Sequence, residues 1–216
     1  MSTTVSTRAL ATAAITGVVT FVAIVASLHI VQAGHYHPLS EAVSELALGR
    51  GGWLMFVAFS ALATGTLCTA AMLRRTTRST AVPLLLGVAG GLSYASAVFH
   101  ADGEHAGTTL HGEIHQTAGI VTFILVVVAM FVCARSFRRD EQWQPLGRAT
   151  LAGAVVGVTA FLLTPVVGGD YFGLVQRVFL ADALGWLVLV AAHGRGLAAR
   201  SAERSPKSDA LASVSG

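Results

Sequence analysis

The sequence predicts an all-α fold, a polytopic membrane bundle of six transmembrane helices, on three observations. Of the 216 residues, 54% are hydrophobic and only 12% are charged, which is about half the charged share of a soluble domain. Mean hydropathy is +0.68, and the apolar residues fall in long blocks. The basic residues cluster beside alternate blocks, as they do in the connections of multi-pass membrane proteins.

The first apolar block, Leu10–Gln32, is long enough to cross a hydrocarbon core of ~30 Å at ~1.5 Å per residue. Because the apolar region of a secretory signal is shorter, we interpret this block as an uncleaved first span. The other predicted spans are Trp53–Leu73, Val82–Phe99, Ile114–Ala134, Ala149–Val167 and Val175–Ala192. Small residues four positions apart allow close helix approach within these spans, at Ala61 and Gly65, Gly87 and Gly91, and Gly153 and Gly157.

The positive charge is placed as it is in membrane proteins. The net charge is +3 and the isoelectric point is near 9.3, but the arginines stand in short clusters next to apolar blocks. We therefore expect no nucleic-acid binding, and membrane lipids are the predicted partners. Of the 14 Lys and Arg residues, only Arg50 and Arg177 fall on the side opposite both termini. The positive-inside rule predicts a plasma-membrane protein with both termini in the cytoplasm.

The end of the chain differs from the rest in composition. Residues 201–216 are rich in Ser and Ala, carry charge and lack apolar periodicity. We predict that residues 1–200 form the six-helix transmembrane domain and that residues 201–216 form a disordered cytoplasmic tail.

The connection between the third and fourth spans carries the first candidate site. Ser96 and His100 are four residues apart, as are His111 and His115, so each pair is predicted to share one helical face. Three imidazoles with a carboxylate such as Asp102, or with water, form a chemically suitable zinc shell. The alternative is that these histidines and acids are solvated and hydrogen-bond one another without a metal. Thr108 or Thr109 is predicted to cap the fourth span.

The segment from His35 to Gly49 carries the second candidate site. Pro38 suits a first helical position, and Glu41 and Glu45 lie four apart. Three apolar residues form a stripe on another face: Leu39, Val43 and Leu46. We predict a short interfacial helix between the first and second spans. Either it is a lid, or it brings Glu45 or Ser44 to the site as a base or hydrogen-bond partner.

The sixth span carries the third candidate site, Gln176 and Arg177, with Asp182 deeper in the span. Ionisable groups inside a span are costly and are usually paired within the bundle. Gln176 and Arg177 are predicted to bind a substrate carboxylate or a lipid phosphate. Alternatively, Arg177 is the internal ion-pair partner of an acidic residue, namely Glu45, Asp102 or Asp182.

Three motifs carry a family resemblance: SELALG at Ser44–Gly49, an Asp followed by HGEIH at Asp102–His115, and GLVQR at Gly173–Arg177. With them the chain resembles the membrane family known as domain of unknown function 998. The resemblance implies about six spans, and it marks six positions to test first: Ser44, Glu45, Asp102, His111, His115 and Arg177. It implies a proline near His100, so His100 departs from the family pattern.

The order SxxxH, Asp, HxxxH is also similar to that of the alkaline ceramidase and adiponectin-receptor superfamily. Those proteins are regarded as seven-span, zinc-dependent hydrolases of lipid amides. Here the HxxxH lies on the next helix rather than the last one, so the likeness is one of motif.

These patterns lead to three functional hypotheses. The first is a zinc-dependent membrane hydrolase of a lipid or amide, with ligands at His111, His115 and His100. In it, Asp102, Glu45 or Ser44 serves catalysis. The second is a non-enzymatic protein that binds a lipid or small molecule, or that supports a membrane complex. The third is an electron-transfer protein with one haem between His29 and His115.

Overall fold

The computed structural model describes residues 5–103 and 107–214, with side chains described up to Ala202. The described part is all-α, as predicted, and six of its helices are long and apolar enough to span a membrane. These helices are α1 (Thr7–Val31), α2 (Leu54–Thr76), α3 (Ala81–Val98), α4 (Leu110–Phe137), α5 (Gly147–Leu163) and α6 (Gly169–Val214). The chain is therefore a multi-pass membrane protein.

The helices contact one another in chain order, and α6 returns to pack against α1 and α2. An even number of spans brings the two termini to one end, which we call the termini end. There Arg75, at the end of α2, donates a hydrogen bond to the carbonyl of Val5. The opposite end, the distal end, holds the α1–α2, α3–α4 and α5–α6 connections. Which end faces the cytoplasm stays a prediction.

Close packing of α1 on α2 depends on two glycines. A Cβ on Gly17 would lie 2.9 Å from the Cα of Gly65, and a Cβ on Gly65 would lie 2.9 Å from the carbonyl oxygen of Ala14. The prediction that small residues join helices is correct for Gly65. It is wrong for Gly87 and Gly91, because a Cβ on either would meet no described atom within 4 Å.

The termini end is closed by Trp143, which is fully buried. Its ring stacks on Phe137 with centroids 4.7 Å apart, and its indole N–H donates to the carbonyl of Thr76 at 3.0 Å. The connection from α4 to α5 is thereby held against the end of α2. Pairing the indole N–H satisfies the one polar atom of a large buried side chain.

α6 begins at Gly169, six residues before the predicted start of that span. Gly168, with φ +69°, makes the turn that precedes it, a backbone conformation that favours glycine. Gln176 and Arg177 are therefore inside α6, about two turns from its start. The helix continues to Val214, past residue 200, and the predicted disorder of residues 201–216 stays a prediction.

The predicted interfacial helix is a five-residue 3₁₀ helix, Val43–Ala47, and it does not start at Pro38. Val43 and Leu46 are 4% and 0% exposed, whereas Leu39 is 53% exposed. The predicted stripe is therefore split: two of its residues point into the end of the bundle and one points out. The 3₁₀ helix packs against α1, α2 and α6, so it covers the distal end of these three helices.

Candidate functional site

Arg177 is the centre of the distal network. Its Nη1 donates to the carbonyls of Glu41 at 3.0 Å and Gly173 at 2.8 Å, and its Nη2 donates to His29 Nε2 at 3.1 Å and to the Tyr36 hydroxyl. All of these acceptors are uncharged. The guanidinium thus joins α6 to the end of α1 and to the segment that follows it. These are structural bonds to protein groups, and the carboxylates of Asp102 and Asp182 are not among the partners.

The tautomer of His29 follows from its two contacts. Its Nδ1 lies 2.7 Å from the carbonyl oxygen of Val25, and since a carbonyl only accepts, Nδ1 must carry the proton. Nε2 is then unprotonated and accepts the Arg177 N–H. The ring also packs edge-on against Tyr36, with centroids 5.2 Å apart. His29 is one of the two predicted haem ligands. Its free lone pair, on Nε2, accepts the hydrogen bond from Arg177.

Tyr36 is 7% exposed and has a raised pKa. Burial is the main cause, and the charges of Glu41 and Glu45 add to it, while Arg177 acts in the opposite direction. The phenol therefore keeps its proton, and it donates to the carbonyl of Ala42 at 2.9 Å. The same oxygen accepts from Arg177, so both sides of the hydroxyl are used.

Gln176 and Glu45 hold the start of the 3₁₀ helix. The Gln176 side-chain oxygen accepts from the backbone N–H of Val43 at 2.8 Å, and the Glu45 carboxylate accepts from that of Ala42 at 2.9 Å. Both satisfy N–H groups that a helix leaves unpaired at its start. Ser44 lies half-buried in the same turn.

Gln32 anchors the end of the same segment. Its amide N–H donates to the carbonyls of Leu46 at 2.9 Å and Arg50 at 3.1 Å, and its side chain is 5% exposed. Gly49 makes room for it, since a Cβ there would lie 2.5 Å from the amide carbon of Gln32. The glycine of SELALG therefore leaves space for the Gln32 amide in its present position.

Asp102 caps α4 together with Thr109. The backbone N–H and the hydroxyl of Thr109 each donate to the Asp102 carboxylate at 2.7 Å. The Thr109 hydroxyl in turn accepts from the N–H of Gly112 at 3.1 Å, which confirms the predicted cap. The Thr109 backbone bond, then its hydroxyl bond, lowers the pKa of Asp102, with a further lowering from nearby His111.

His115 holds the other side of this connection. Its Nδ1 lies 2.8 Å from the carbonyl oxygen of Phe99 and 3.2 Å from that of Ser96, so Nδ1 carries the proton and Nε2 is left basic. The ring packs edge-on against Phe59 of α2 at 5.9 Å. His115 thus satisfies carbonyls that the end of α3 leaves unpaired.

His111 and His100 are both exposed. His111 packs its ring against Phe99, with centroids 5.2 Å apart. The predicted helical face shared by Ser96 and His100 is wrong, because α3 ends at Val98 and Phe99 is extended. Among the described residues, no three His, Cys, Asp or Glu side chains are arranged to hold a metal ion. The zinc ligand set stays a prediction.

Asp182 lies deeper in α6, apart from the distal network. Its Oδ2 is buried and has no hydrogen-bond partner among the described residues. It faces a notch in α5, where a Cβ on Gly157 would lie 3.3 Å from Oδ2 and a Cβ on Gly153 would lie 3.0 Å from Oδ1. The two small residues let the carboxyl group fit between the helices.

Three members of the network lie outside the candidate sites that the sequence predicts: His29, Tyr36 and Gln32. Of these, only His29 has a predicted role, as a haem ligand. The sequence does hold one signal for them, because all three are polar side chains at or just beyond the distal end of the predicted first span. Their acceptors, in contrast, are mostly backbone carbonyls, which every residue type provides.

Comparison with known proteins gives a family. No curated protein and no solved structure matches the chain. The model of the family described as protein of unknown function (DUF998) matches residues 15–193. That range contains α2 to α5 whole, most of α1, the first part of α6 and all three motifs. The chain therefore belongs to the DUF998 family.

Proposed function

We propose that this protein is a non-enzymatic membrane protein that binds a lipid of the surrounding bilayer. Its distal His, Asp, Glu and Arg side chains then serve to hold the outer connections in place. The observation that carries this proposal is the placement of Arg177, whose hydrogen bonds go to four groups of the protein itself. A guanidinium used in this way has few donors left for a substrate.

The other candidate site residues support the same reading. Gln176 and Glu45 accept from backbone N–H groups, Asp102 accepts twice from Thr109, and His115 donates to backbone carbonyls. A general base needs a lone pair within reach of the proton that it removes. Groups that cap helices and connections instead stabilise the fold, since buried polar groups without a partner are costly.

The structural role is tested by Tyr36→Phe. The change leaves the Ala42 carbonyl without its donor and one Arg177 N–H without its acceptor, so we expect a loss of ~1–3 kcal/mol in stability. Thermal unfolding of the purified protein in mild detergent measures it. Tyr171→Phe is the matched control, because Tyr171 is 55% exposed at the start of α6. Unchanged stability of Tyr36→Phe would contradict the structural role.

The absence of catalysis is tested with the intact protein and a mixed lipid extract. We expect lipid to copurify, and we expect no release of fatty acid or headgroup over a protein-free control. Turnover that scales with protein concentration and is abolished by His115→Ala or Asp102→Ala would overturn the proposal.

A zinc-dependent lipid or amide hydrolase is the second candidate, and the tautomer of His115 favours it. Metal-binding histidines usually donate their other ring N–H to a carbonyl, as His115 does to Phe99, which leaves Nε2 free for a ligand bond. His111 and His100 would complete the shell, and Asp102 or Glu45 would activate water.

Elemental analysis with an absorption spectrum separates the candidates. The hydrolase requires stoichiometric zinc, and a chelator must lower the unfolding temperature of the wild type but not that of His115→Ala. A metal-free, colourless preparation removes both the hydrolase and the single-haem protein. Stoichiometric zinc in the purified protein would instead favour the hydrolase.

A further inference from the structure

An open groove runs along the lipid-facing side of α1 and α2, starting from the termini end. Its volume is about 720 Å³, and residues of both helices line it. On α1, the threonines Thr12, Thr16 and Thr20 recur every four residues and so share one face. Two small residues, Ala61 and Gly17, are among those that line the groove. A groove at this depth in a membrane is filled by lipid chains, since water is absent there.

Two of the threonine hydroxyls in the groove do not call for a polar ligand. Thr12 donates to the carbonyl of Arg8 at 3.0 Å, and Thr64 donates to that of Ser60 at 2.8 Å. With their protons satisfied inside their own helices, Thr12 and Thr64 need no polar partner in the groove. The lining therefore suits a hydrocarbon chain.

The mouth of the groove is positively charged. Arg8 lines the groove and also lines a second cavity of about 770 Å³ at the termini end. Arg75 and Thr76 at the end of α2 line that cavity too, and among the residues whose side chains the structure describes no Asp or Glu lines it. Ser6, which caps α1 by accepting from Ala9, is shared by both cavities. The positive end of the α1 dipole therefore adds to the two guanidinium groups.

We propose that these two cavities form one binding site for an anionic phospholipid of the leaflet at the termini end. The inference rests on the proposal that the protein binds a membrane lipid, and it names the class. The phosphate lies between Arg8 and Arg75 near the start of α1. One acyl chain follows the groove to Thr20. Arg8 to Thr20 spans about 18 Å of helix at 1.5 Å per residue, which is slightly more than one leaflet of a ~30 Å core.

The choice of an anionic lipid follows from charge complementarity. Two guanidinium groups line this mouth, and no carboxylate is among its described lining residues. A lipid with a net negative charge pairs best with them, because Arg binds phosphate with two parallel hydrogen bonds. A zwitterionic lipid brings its own ammonium group to the same place. Arg75 already donates to the carbonyl of Val5, and this contact keeps its side chain at the mouth of the cavity.

The test uses the full chain in mild detergent with phosphatidylglycerol or phosphatidylcholine added, and it measures bound lipid by native mass spectrometry. The double variant Arg8→Gln/Arg75→Gln is expected to bind phosphatidylglycerol roughly 10- to 30-fold more weakly. Arg135→Gln/Arg148→Gln is the matched control: it removes the same charge at the same end from exposed residues that line neither cavity. This control is expected to bind as the wild type does.

A second variant tests the groove without changing charge. Thr16 is exposed to lipid, so Thr16→Trp fills the groove without disturbing the helix contact, and we expect it to lose the bound phosphatidylglycerol. Equal binding of both lipids, or full binding by the double arginine variant, would overturn the inference. Retention of another lipid class would still leave the protein a lipid binder, whereas zinc with hydrolysis would remove the proposed function itself.

Discussion

Asp102 caps helix α4 from outside the helix. It precedes α4 by eight residues, yet its carboxylate accepts two hydrogen bonds from Thr109, the N-cap of that helix. Its negative charge thus lies at the positive end of the α4 dipole. Gly112 permits this, since a Cβ there would lie 2.8 Å from Oδ1 of Asp102. The aspartate and the glycine of the HGEIH motif are therefore one structural unit.

This unit predicts an acid dependence of stability. Because Thr109 lowers the folded-state pKa of Asp102, the unfolded chain takes up a proton at a pH where the folded chain does not. The stabilisation by Asp102 is complete above the unfolded value of ~3.9 and is lost as the pH falls further, through the folded pKa. Unfolding temperatures should fall more steeply below about pH 4 in the wild type than in Asp102→Asn.

Glu113→Gln is the matched control for this comparison, because Glu113 is an exposed acid in the first turn of the same helix. The unfolding temperature of Glu113→Gln should fall as steeply below about pH 4 as that of the wild type. Identical pH profiles for the wild type and Asp102→Asn would contradict the capping role.

Sequence reasoning identified most of these side chains but not what they bind. Arg177, Asp102 and His115 stand out because charged or imidazole groups beside a span are unusual. Their main partners are the carbonyls of Glu41 and Gly173, the Thr109 amide and the Phe99 carbonyl. Every residue has the same backbone N–H and carbonyl groups, so the sequence does not show which of them will accept or donate. These pairs become visible only when the helices are packed.

At the scale of the helices, hydropathy predicts that a span exists better than it predicts where the span begins. α4 starts at Leu110 and α6 at Gly169, each several residues before its apolar block. The first turns of both helices are polar, and a polar turn ends a hydropathy block without ending a helix. The 3₁₀ helix differs for another reason: contacts with three long helices, rather than its own periodicity, fix its shape.

The contact between α1 and α2 yields a paired prediction. Ala in place of Gly gains about 1 kcal/mol of helix propensity at any interior helical position. Gly87→Ala should therefore be neutral or stabilising, because its Cβ meets nothing within 4 Å. Gly17→Ala drives its Cβ against the backbone of α2 and should cost ~1–3 kcal/mol. Thermal unfolding of the two variants in detergent checks this, and equal effects would contradict the close contact.

At the scale of the whole molecule, the helices close into a ring in which α6 meets α1. Hydropathy predicts the number of spans but not which spans are neighbours. Every span is apolar on all its faces, so no face of a helix is marked as the one that contacts another helix. The distribution of charge goes further: among the basic residues whose side chains the structure describes, Arg8 to Arg200, only Arg50 and Arg177 lie toward the distal end. The positive-inside rule then predicts which end faces the cytoplasm.

Orientation is tested with two fusions. A fluorescent protein at the C-terminus should fold and emit, because that end is expected in the cytoplasm, and an alkaline phosphatase inserted after Gly51 should be active. The fluorescent protein inserted after Gly51 is the reciprocal control and should stay dark. Active phosphatase at the C-terminus would reverse the predicted topology.

The bonds of Arg177 also set an order of events during biosynthesis. His29 and Tyr36 leave the ribosome with the first helix, while Arg177 arrives with the last one. Throughout most of translation the segment after α1 lacks the guanidinium that ties it down. A nascent chain that stops before α6 therefore presents a less restrained loop, in which His29 and Tyr36 each lack one hydrogen-bond partner. Local unfolding of such a loop exposes it to proteases.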